Sequence, residues 1–174
     1  MTTDLHQRLW RILAPLLAAA ALASGCVSMT PGGWPPGTPI GVARQGLIGP
    51  TAEHALPGGG TRLEFSQGSF GKETYMHDFD ASGALVSSQQ VLTPANFATI
   101  VPGMPRADVR MRLGRPAEVF SVPWQKLQVW NYRFFEGDCV WFQVSFSDAT
   151  QRVTETGTGQ DPACDGPSDR DGST

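Results

Sequence analysis

Histidine and carboxylate side chains are the residues of this sequence best suited to proton transfer or metal binding. His77 lies in the segment "TYMHDFD", where Asp78 and Asp80 follow it, and His54 stands next to Glu53. Successive side chains of an extended strand point to opposite faces, so His77 is expected to point away from both aspartates. The pattern therefore favours a structural histidine over an acid–base or metal-binding residue.

Motifs that mark nucleophilic or nucleotide chemistry are missing from the sequence. It contains no G-x-S-x-G segment, and the glycine-rich "PGGGTR" lacks both the lysine and the following helix of a phosphate-binding loop. The cysteines do not have the spacing of a zinc site. We therefore predict a protein that is not an enzyme, with no catalytic residue, no metal site and no cofactor.

Four arginines stand close together in "PRADVRMRLGRP": Arg106, Arg110, Arg112 and Arg115. One interpretation is a solvated helix face, on which Asp108 and Arg112 form an ion pair one turn apart. The other is a binding patch for anionic lipid headgroups or for an acidic partner surface. The chain has a formal net charge of −3 and lacks the basic footprint of a nucleic-acid-binding protein, so nucleic acid is excluded as a partner.

The segment that carries these arginines is predicted to be a short helix with defined ends. Pro105 suits the first helical turn, and Gly114 followed by Pro116 ends the helix. Val109 and Leu113 share one face of it. A helix of two to three turns is marginal in water by itself, so this face must be buried against neighbouring strands.

Short segments rich in aromatic and β-branched residues surround this helix. We predict strands in "TRLEFSQ", "KETYMHDFD", "ALVSSQQV", "LQVWNYRFF", "CVWFQVSFS" and "QRVTETG". A hairpin turn is expected at Gly137–Asp138, and a further helix in "TPANFATIV" begins at Thr93 as its N-cap. The predicted fold class is α+β, with two units that each pack short helices on a small antiparallel sheet of about three strands.

The prediction of two units depends on an internal repeat. Pro36, Gly37, Pro39, Leu47 and Pro50 recur as Pro102, Gly103, Pro105, Leu113 and Pro116. With one extra residue in the following loop, Leu63, Phe65, Phe79 and Val86 correspond to Trp130, Tyr132, Phe146 and Val153. We expect the aromatic side chains to pack between the two copies, and any exposed remainder would be a partner site.

The N-terminus has the pattern of a lipoprotein signal peptide. Arg8 and Arg11 precede the uncharged run "ILAPLLAAAALA", which is too short to span a bilayer as a helix. The following "LASGC" resembles a lipobox, so residues 1–25 are predicted to be removed and Cys26 to become a lipidated N-terminus. The alternative is an ordinary secretory signal with Cys26 nearby. Val27, in place of an aspartate, favours the outer membrane over the inner one.

Two cysteines, Cys139 and Cys164, remain once Cys26 is set aside. An even pair in an exported protein suggests a disulfide, and two free thiols are the alternative.

After the signal peptide, the predicted segments are a Pro/Gly-rich tether over 26–39, a first unit over 40–92, a second unit over 93–160 and a polar tail over 161–174.

The second unit resembles the BamE (SmpA/OmlA) family of small outer-membrane lipoproteins. The residues that match the family pattern are Gly103, Met104, Val109, Leu113, Gly114, Pro116, Trp130 and Tyr132. Pro105 replaces the family's threonine, Ile48 stands in the first copy where Gly114 stands in the second, and the tandem arrangement departs from a single-unit protein. The resemblance implies helix–helix–three-strand units, exposure to the periplasm and a non-catalytic accessory role in assembling outer-membrane β-barrel proteins.

The functional prediction combines the lipobox, the arginines and this resemblance. We expect a non-catalytic, lipid-anchored protein of the outer membrane that faces the periplasm and binds proteins, anionic phospholipid or both. Its partners would be outer-membrane barrel-assembly proteins, and its role the assembly or integrity of the envelope. The alternative is an inhibitor-like module that caps a hydrolase, because related layouts inhibit β-lactamase.

Overall fold

The structure is a computed structural model that describes residues 33–46, 49–67, 71–134 and 139–162. Its α-helices are α1 (Ile40–Arg44), α2 (Pro94–Phe97) and α3 (Arg106–Leu113). Its strands are β1 (Ala52–Ala55), β2 (Thr61–Gln67), β3 (Glu73–Phe79), β4 (Leu85–Gln90), β5 (Glu118–Val122), β6 (Leu127–Arg133), β7 (Val140–Ser147) and β8 (Val153–Gln160). Within these ranges no helix is both long enough and apolar enough to cross a bilayer.

The eight strands form two antiparallel four-stranded sheets. Sheet 1 has the order β1-β2-β3-β4 and sheet 2 the order β5-β6-β7-β8, so each sheet is a meander of consecutive strands. All six predicted strands are present. Cross-strand pairs such as Leu63 with His77 and Trp130 with Val144 place large side chains on one face, which sets the register by burying that face.

The structure is mainly β, and the prediction of an α+β fold with two helix-on-three-strand units is wrong. Each sheet has a fourth strand, β1 or β5, which starts the meander at the edge. These strands have only four and five residues, all exposed or half-buried, so neither shows the apolar alternation that predicts a strand. The helices have five, four and eight residues, which is too little to form a helical layer over each sheet.

Sheet 1 and sheet 2 share irregular features at corresponding positions. A β-bulge interrupts the pairing of β3 with β4, and a bulge in the same place interrupts the pairing of β7 with β8. An isolated bridge joins Pro39 to Ala84, just as another joins Pro105 to Arg152. Bulges are positional features of a fold, so the two halves of the described chain follow one plan, a short helix and a four-stranded meander.

Helix α3 lies between the two sheets. Val109 and Leu113 are fully buried, as the sequence predicts, and they share a core cluster with aromatic residues of sheet 2 and with Met76 of sheet 1. The aromatic members from sheet 2 are Trp130, Tyr132, Phe134, Phe142 and Phe146. The other face of sheet 1 packs against α1 in a smaller cluster that contains Ala43 and Leu63. The layers therefore run α1, sheet 1, α3, sheet 2.

Polar contacts fix α3 on sheet 1. Arg62 of β2 forms a two-pronged ion pair with Asp78, with N–O distances of 2.6 and 2.7 Å, and donates to the carbonyl oxygen of Met111 at 2.7 Å. A cation at the C-terminal end of a helix is favourable, because the last carbonyl groups have no partner inside the helix. Arg62 therefore caps α3 from a different layer.

The N-terminal end of the described chain packs on sheet 1. The Trp34 side chain is 8% exposed, and backbone hydrogen bonds of 2.8–2.9 Å join Gly37 and Thr38 to Leu85 at the start of β4. These residues belong to the predicted tether (26–39), so the packed part of the chain begins by Trp34. The earlier part of the tether and the predicted signal peptide (1–25) lie outside the described residues.

Candidate binding pocket at the start of α3

Two of the four arginines predicted as a binding patch line one open pocket, which we call the α3 pocket. Arg106 and Arg110 of α3 line it together with Arg152, which stands just before β8. The cavity has a volume of about 470 Å³, and Pro105, Ala107, Trp130, Thr150 and Gln151 complete its lining. Arg112 is exposed and lies away from this pocket, and Arg115 lies in a second one described below.

Backbone contacts between α3 and the β7–β8 turn set the width of the α3 pocket. The N–H of Arg106 donates to the carbonyl oxygen of Gln151 at 3.0 Å, and Pro105 bridges to Arg152. The guanidinium Nη1 of Arg152 donates to the carbonyl oxygen of Gly103 at 2.7 Å. These contacts, two through the backbone and one through the Arg152 side chain, tie the first turn of α3 to sheet 2.

Arg106 supplies a cation that no carboxylate among the described residues neutralises. Its guanidinium carbon lies 5.6 Å from the ring centre of Trp130 and 5.4 Å from that of Phe146, within the range of cation–π attraction. Its Nε is buried and has no hydrogen-bond partner among the described residues. Neither Arg106 nor Arg152 belongs to an ion pair in the described part of the chain. As far as the described residues go, the pocket therefore carries two positive charges without an ion-pair partner.

Arg110 has a structural role at the base of the same pocket. It forms an ion pair with Glu64 of β2, whose carboxylate is fully buried. The same carboxylate accepts the backbone N–H of Arg115 at 2.8 Å and lies 3.1 Å from the Nε2 of His54. Arg110 is thus committed to the contact between α3 and sheet 1, and the charge available to a ligand comes mainly from Arg106 and Arg152.

An exposed tryptophan lies at the same end of sheet 2 as the α3 pocket. Trp124, in the 3-10 turn Pro123–Gln125 between β5 and β6, is 82% exposed. Lys126 follows two residues later. Its backbone carbonyl oxygen accepts the N–H of Asp148 in the β7–β8 turn at 3.0 Å, so the two turns are neighbours. This end of the sheet presents an indole and a lysine beside the arginines, with Asp148 as an exposed carboxylate of the same turn.

A second cavity of about 360 Å³ opens between the sheets, and Arg115 and Arg133 line it together with Thr51, Ser66 and Ala117. Arg133 binds two carboxylates, Asp161 and Glu118, and these, Asp161 most of all, raise the pKa of its guanidinium. Its charge is therefore compensated within the protein. The sequence analysis grouped Arg115 with the other three arginines. Helix α3 ends at Gly114, however, and Arg115 lines the second cavity instead of the α3 pocket.

The side chains of His77 and Asp78 lie on opposite faces of β3. His77 is completely buried and faces aromatic rings of the smaller core cluster, with centroids 5.0 Å away in Trp34 and 5.2 Å away in Phe65. Asp78 points to the opposite face, where it pairs with Arg62, as strand alternation predicts. Within the described ranges no group of three or more His, Cys, Asp or Glu side chains is placed to hold a metal ion.

The cysteine predictions fall largely outside the described residues. Cys139, at the start of β7, is disulfide-bonded, but the cysteine that it binds is not among the residues described. Cys164, its predicted partner, and Cys26, the predicted lipidation site, both lie outside those ranges. The pairing and the lipid anchor stay predictions, as does the hairpin turn at Gly137–Asp138.

Arg152 and Trp124 are the members of this surface that the sequence did not indicate. Arg152 stands in a polar segment, and only the bridge to Pro105 brings it to the start of α3. Tryptophan is a residue type expected in the core, and the alternation of apolar and polar residues around Trp124 does not distinguish it from the buried Trp130. A tryptophan directly after a proline, "VPWQK", was the one available signal for a turn position.

Comparison with known proteins identifies no family for this chain. No protein-family model and no curated protein matches it, so the resemblance to BamE stays a prediction. A solved structure that it is similar to is a cysteine-rich secretory protein from Staphylococcus aureus, with a TM-score of 0.27 and 14% sequence identity. The match covers 69% of this chain and spans only 42% of the length of that protein.

Proposed function

We propose that this protein is a non-catalytic, lipid-anchored envelope protein whose α3 pocket binds the phosphate of an anionic phospholipid headgroup. The observation that carries this proposal is the pair of guanidinium groups, Arg106 and Arg152, that line one open cavity and have no ion-pair partner among the described residues. The anchor would be Cys26, and the protein would face the periplasm at the outer membrane.

The chemistry of the α3 pocket fits a phosphate better than a neutral ligand. A guanidinium group presents several N–H donors in one plane, which match the oxygens of a phosphate, and such bonds are stronger than bonds between neutral groups. The buried Nε of Arg106 has a donor still to be satisfied, and an unsatisfied buried donor costs about 1–3 kcal/mol. A phosphate oxygen entering the pocket would offer an acceptor to that side chain.

The surroundings of the pocket fit a position at a bilayer surface. Trp124 is 82% exposed and follows a proline turn, and tryptophan side chains favour the boundary between headgroups and acyl chains. Lys126 lies in the same turn, and a basic residue near an anionic surface contributes about 1 kcal/mol to its attraction. An anchor at Cys26 would keep the concentration of headgroups around this surface high.

The resemblance to BamE supports an accessory role in outer-membrane protein assembly or envelope integrity. In such a role the pocket would orient the protein on its membrane, and no bond in the lipid would be made or broken. Partners among the barrel-assembly proteins are proposed on the resemblance alone.

The proposal is tested with a soluble form of the headgroup. Mature protein in nonionic detergent is titrated with dihexanoyl phosphatidylglycerol and, separately, with dihexanoyl phosphatidylcholine, while the Nε–H signals of the arginines are followed by NMR. We expect the Arg106 signal to shift with phosphatidylglycerol only. Arg106→Gln and Arg152→Gln should each weaken binding about fivefold, because each removes one cation worth about 1 kcal/mol near an anionic group.

Arg112→Gln is the matched control, because Arg112 lies on the same helix but outside the α3 pocket. Its effect on binding should be less than twofold. Equal binding of both lipids would show that the pocket does not recognise an anionic headgroup. Equal effects of the Arg112 and Arg106 substitutions would show that the protein senses only general charge and that the pocket is not the site.

A further inference from the structure

The two sheets have four edge strands, and three of them present polar side chains to solvent. In β1, Glu53 binds Arg44 and His54 contacts Glu64. β4 exposes serine and glutamine side chains beside one apolar residue, Val86, and β8 exposes threonine, glutamate and glycine. Charged and polar edges of this kind discourage pairing with another chain.

β5 differs from the other three edges because its exposed side chains are mainly apolar. Val119 is 50% exposed and Phe120 is 43% exposed, on opposite faces of the strand. Among the described residues β5 pairs only with β6, so its outer side is a free edge. A free edge with large apolar side chains on both faces is a template for an added strand.

Two cations flank this edge. Arg115 is exposed just before β5, and Lys126 is exposed after the turn that follows it. Inside the strand the single charged side chain, Glu118, already binds Arg133. The edge thus offers an apolar centre between two positive ends.

We propose that β5 binds an extended peptide segment of another protein as an additional antiparallel strand of sheet 2, and that this segment has apolar residues in its centre and acidic residues at both ends. Backbone hydrogen bonds would supply most of the attraction. Side chains of the added strand would pack beside Phe120 and Val129 on one face and beside Val119 and Trp130 on the other, which are neighbours across β5 and β6.

Charge complementarity argues for a foreign peptide over a second copy of this chain. Two copies related by a twofold axis would pair β5 antiparallel with β5 of the second copy. That pairing places Arg115 of each copy near Lys126 of the other, because these residues flank opposite ends of the strand. Like charges in close contact disfavour such a dimer, whereas acidic peptide ends meet both cations favourably.

The test uses a synthetic peptide of about ten residues, long enough to cover a strand, in which valine and threonine alternate between two aspartates at each end. The mature protein in nonionic detergent is mixed with this peptide, and amide hydrogen exchange is measured residue by residue. We expect slower exchange for amides of β5 and no change for amides of β4 or β8. A peptide with lysines in place of the aspartates should bind about tenfold more weakly.

Substitutions at the edge give the matched comparison. The double variant Val119→Lys with Phe120→Lys should reduce the affinity for the acidic peptide about tenfold, because the apolar cross-strand contacts are lost. Val86→Lys, on the edge of sheet 1, should leave the affinity unchanged. Unaltered melting temperatures would show that the variants fold, since all three positions are at least 43% exposed.

Three results would overturn the proposal. One is the absence of slower exchange in β5 at saturating peptide, and another is equal protection of β4 and β8, which would mean unselective edge pairing. The third is a dimer of the unmodified protein in sedimentation that the Val119→Lys, Phe120→Lys variant abolishes, which would identify a second copy as the occupant.

Discussion

Gly114 ends α3 in the space between the two sheets, and its replacement by alanine tests that arrangement. Its φ is 78° and its ψ −162°, a backbone conformation that only glycine adopts readily. A Cβ at this position would lie 2.8 Å from Cγ2 of Thr74, 3.0 Å from Oε1 of Glu64 and 3.1 Å from Cε of Met76. From the other side, Tyr132 of sheet 2 donates its hydroxyl to the Gly114 carbonyl oxygen at 3.2 Å. Gly114 is therefore in close contact with both sheets.

The cost of Gly114→Ala has two parts. The backbone strain is about 1–3 kcal/mol. Overpacking against three atoms of sheet 1 adds about 1–3 kcal/mol. The alanine also reduces the freedom of the unfolded chain, which offsets about 0.4–1 kcal/mol of this cost. We therefore expect a net loss of about 1–6 kcal/mol in the free energy of unfolding. That loss is a large share of the stability of an ordinary domain.

Gly103→Ala separates the two parts. Gly103 also has a positive φ, 85°, but a Cβ there would meet nothing within 4 Å. This variant therefore carries strain without overpacking. The free energies of unfolding are measured by urea titration, with circular dichroism and tryptophan fluorescence as parallel probes.

The contact between the sheets predicts that Gly114→Ala is more destabilising than Gly103→Ala by about 1–3 kcal/mol. Equal losses for the two variants would refute the close approach of sheet 1 to the end of α3. A further check is the double variant with Glu64→Ala, which removes one of the three clashing atoms. Its effect should be smaller than the sum of the single effects, since residues in contact are not additive.

Two other predictions concern carboxylates. Glu64→Ala should lower the free energy of unfolding by about 2–3 kcal/mol in urea titrations, because it leaves Arg110 without its buried partner. Glu64→Gln should cost less, because its amide oxygen still accepts an N–H. Equal losses for the two variants would contradict this account. Asp80 accepts hydrogen bonds from Ser82, which lower its pKa below the usual 3.8. These bonds contribute fully to the free energy of unfolding above pH 3.8, and the contribution is lost as the pH falls through the lower pKa of the folded protein. The stability difference between the unmodified protein and Asp80→Ala should therefore shrink in urea titrations below about pH 4, and a difference that does not change with pH would rule out this role.

The strands and the burial of α3 could be predicted because their signals are local. Alternation of large side chains marks β2, β3, β6 and β7, and the spacing of Val109 and Leu113 marks the face of α3 that is buried. The edge strands β1 and β5 could not be predicted in this way. An edge strand half exposed on both faces has little need for alternation, and its formation depends on a neighbour that is already in place.

The candidate pocket was predictable only in part, for the same reason. Arg106 and Arg110 were indicated because they stand one helical turn apart in a segment with defined ends. Their different roles were not, since these depend on Glu64 and Arg152, which lie in other segments of the chain. A buried glutamate in "RLEFS" has no property in the sequence that distinguishes it from a solvated one.

The sequence by itself therefore determined six of the eight strands of the described chain, the ends of α3 and the apolar face that α3 must bury. Only the tertiary structure decided that α3 lies between two sheets, because the contacts that place it, such as Arg110 with Glu64 and Arg62 with Met111, join residues 46 and 49 positions apart. Helix and strand periodicities extend over a few residues and carry no information about contacts at that separation. The shape of the α3 pocket follows from those contacts and not from the arginines alone.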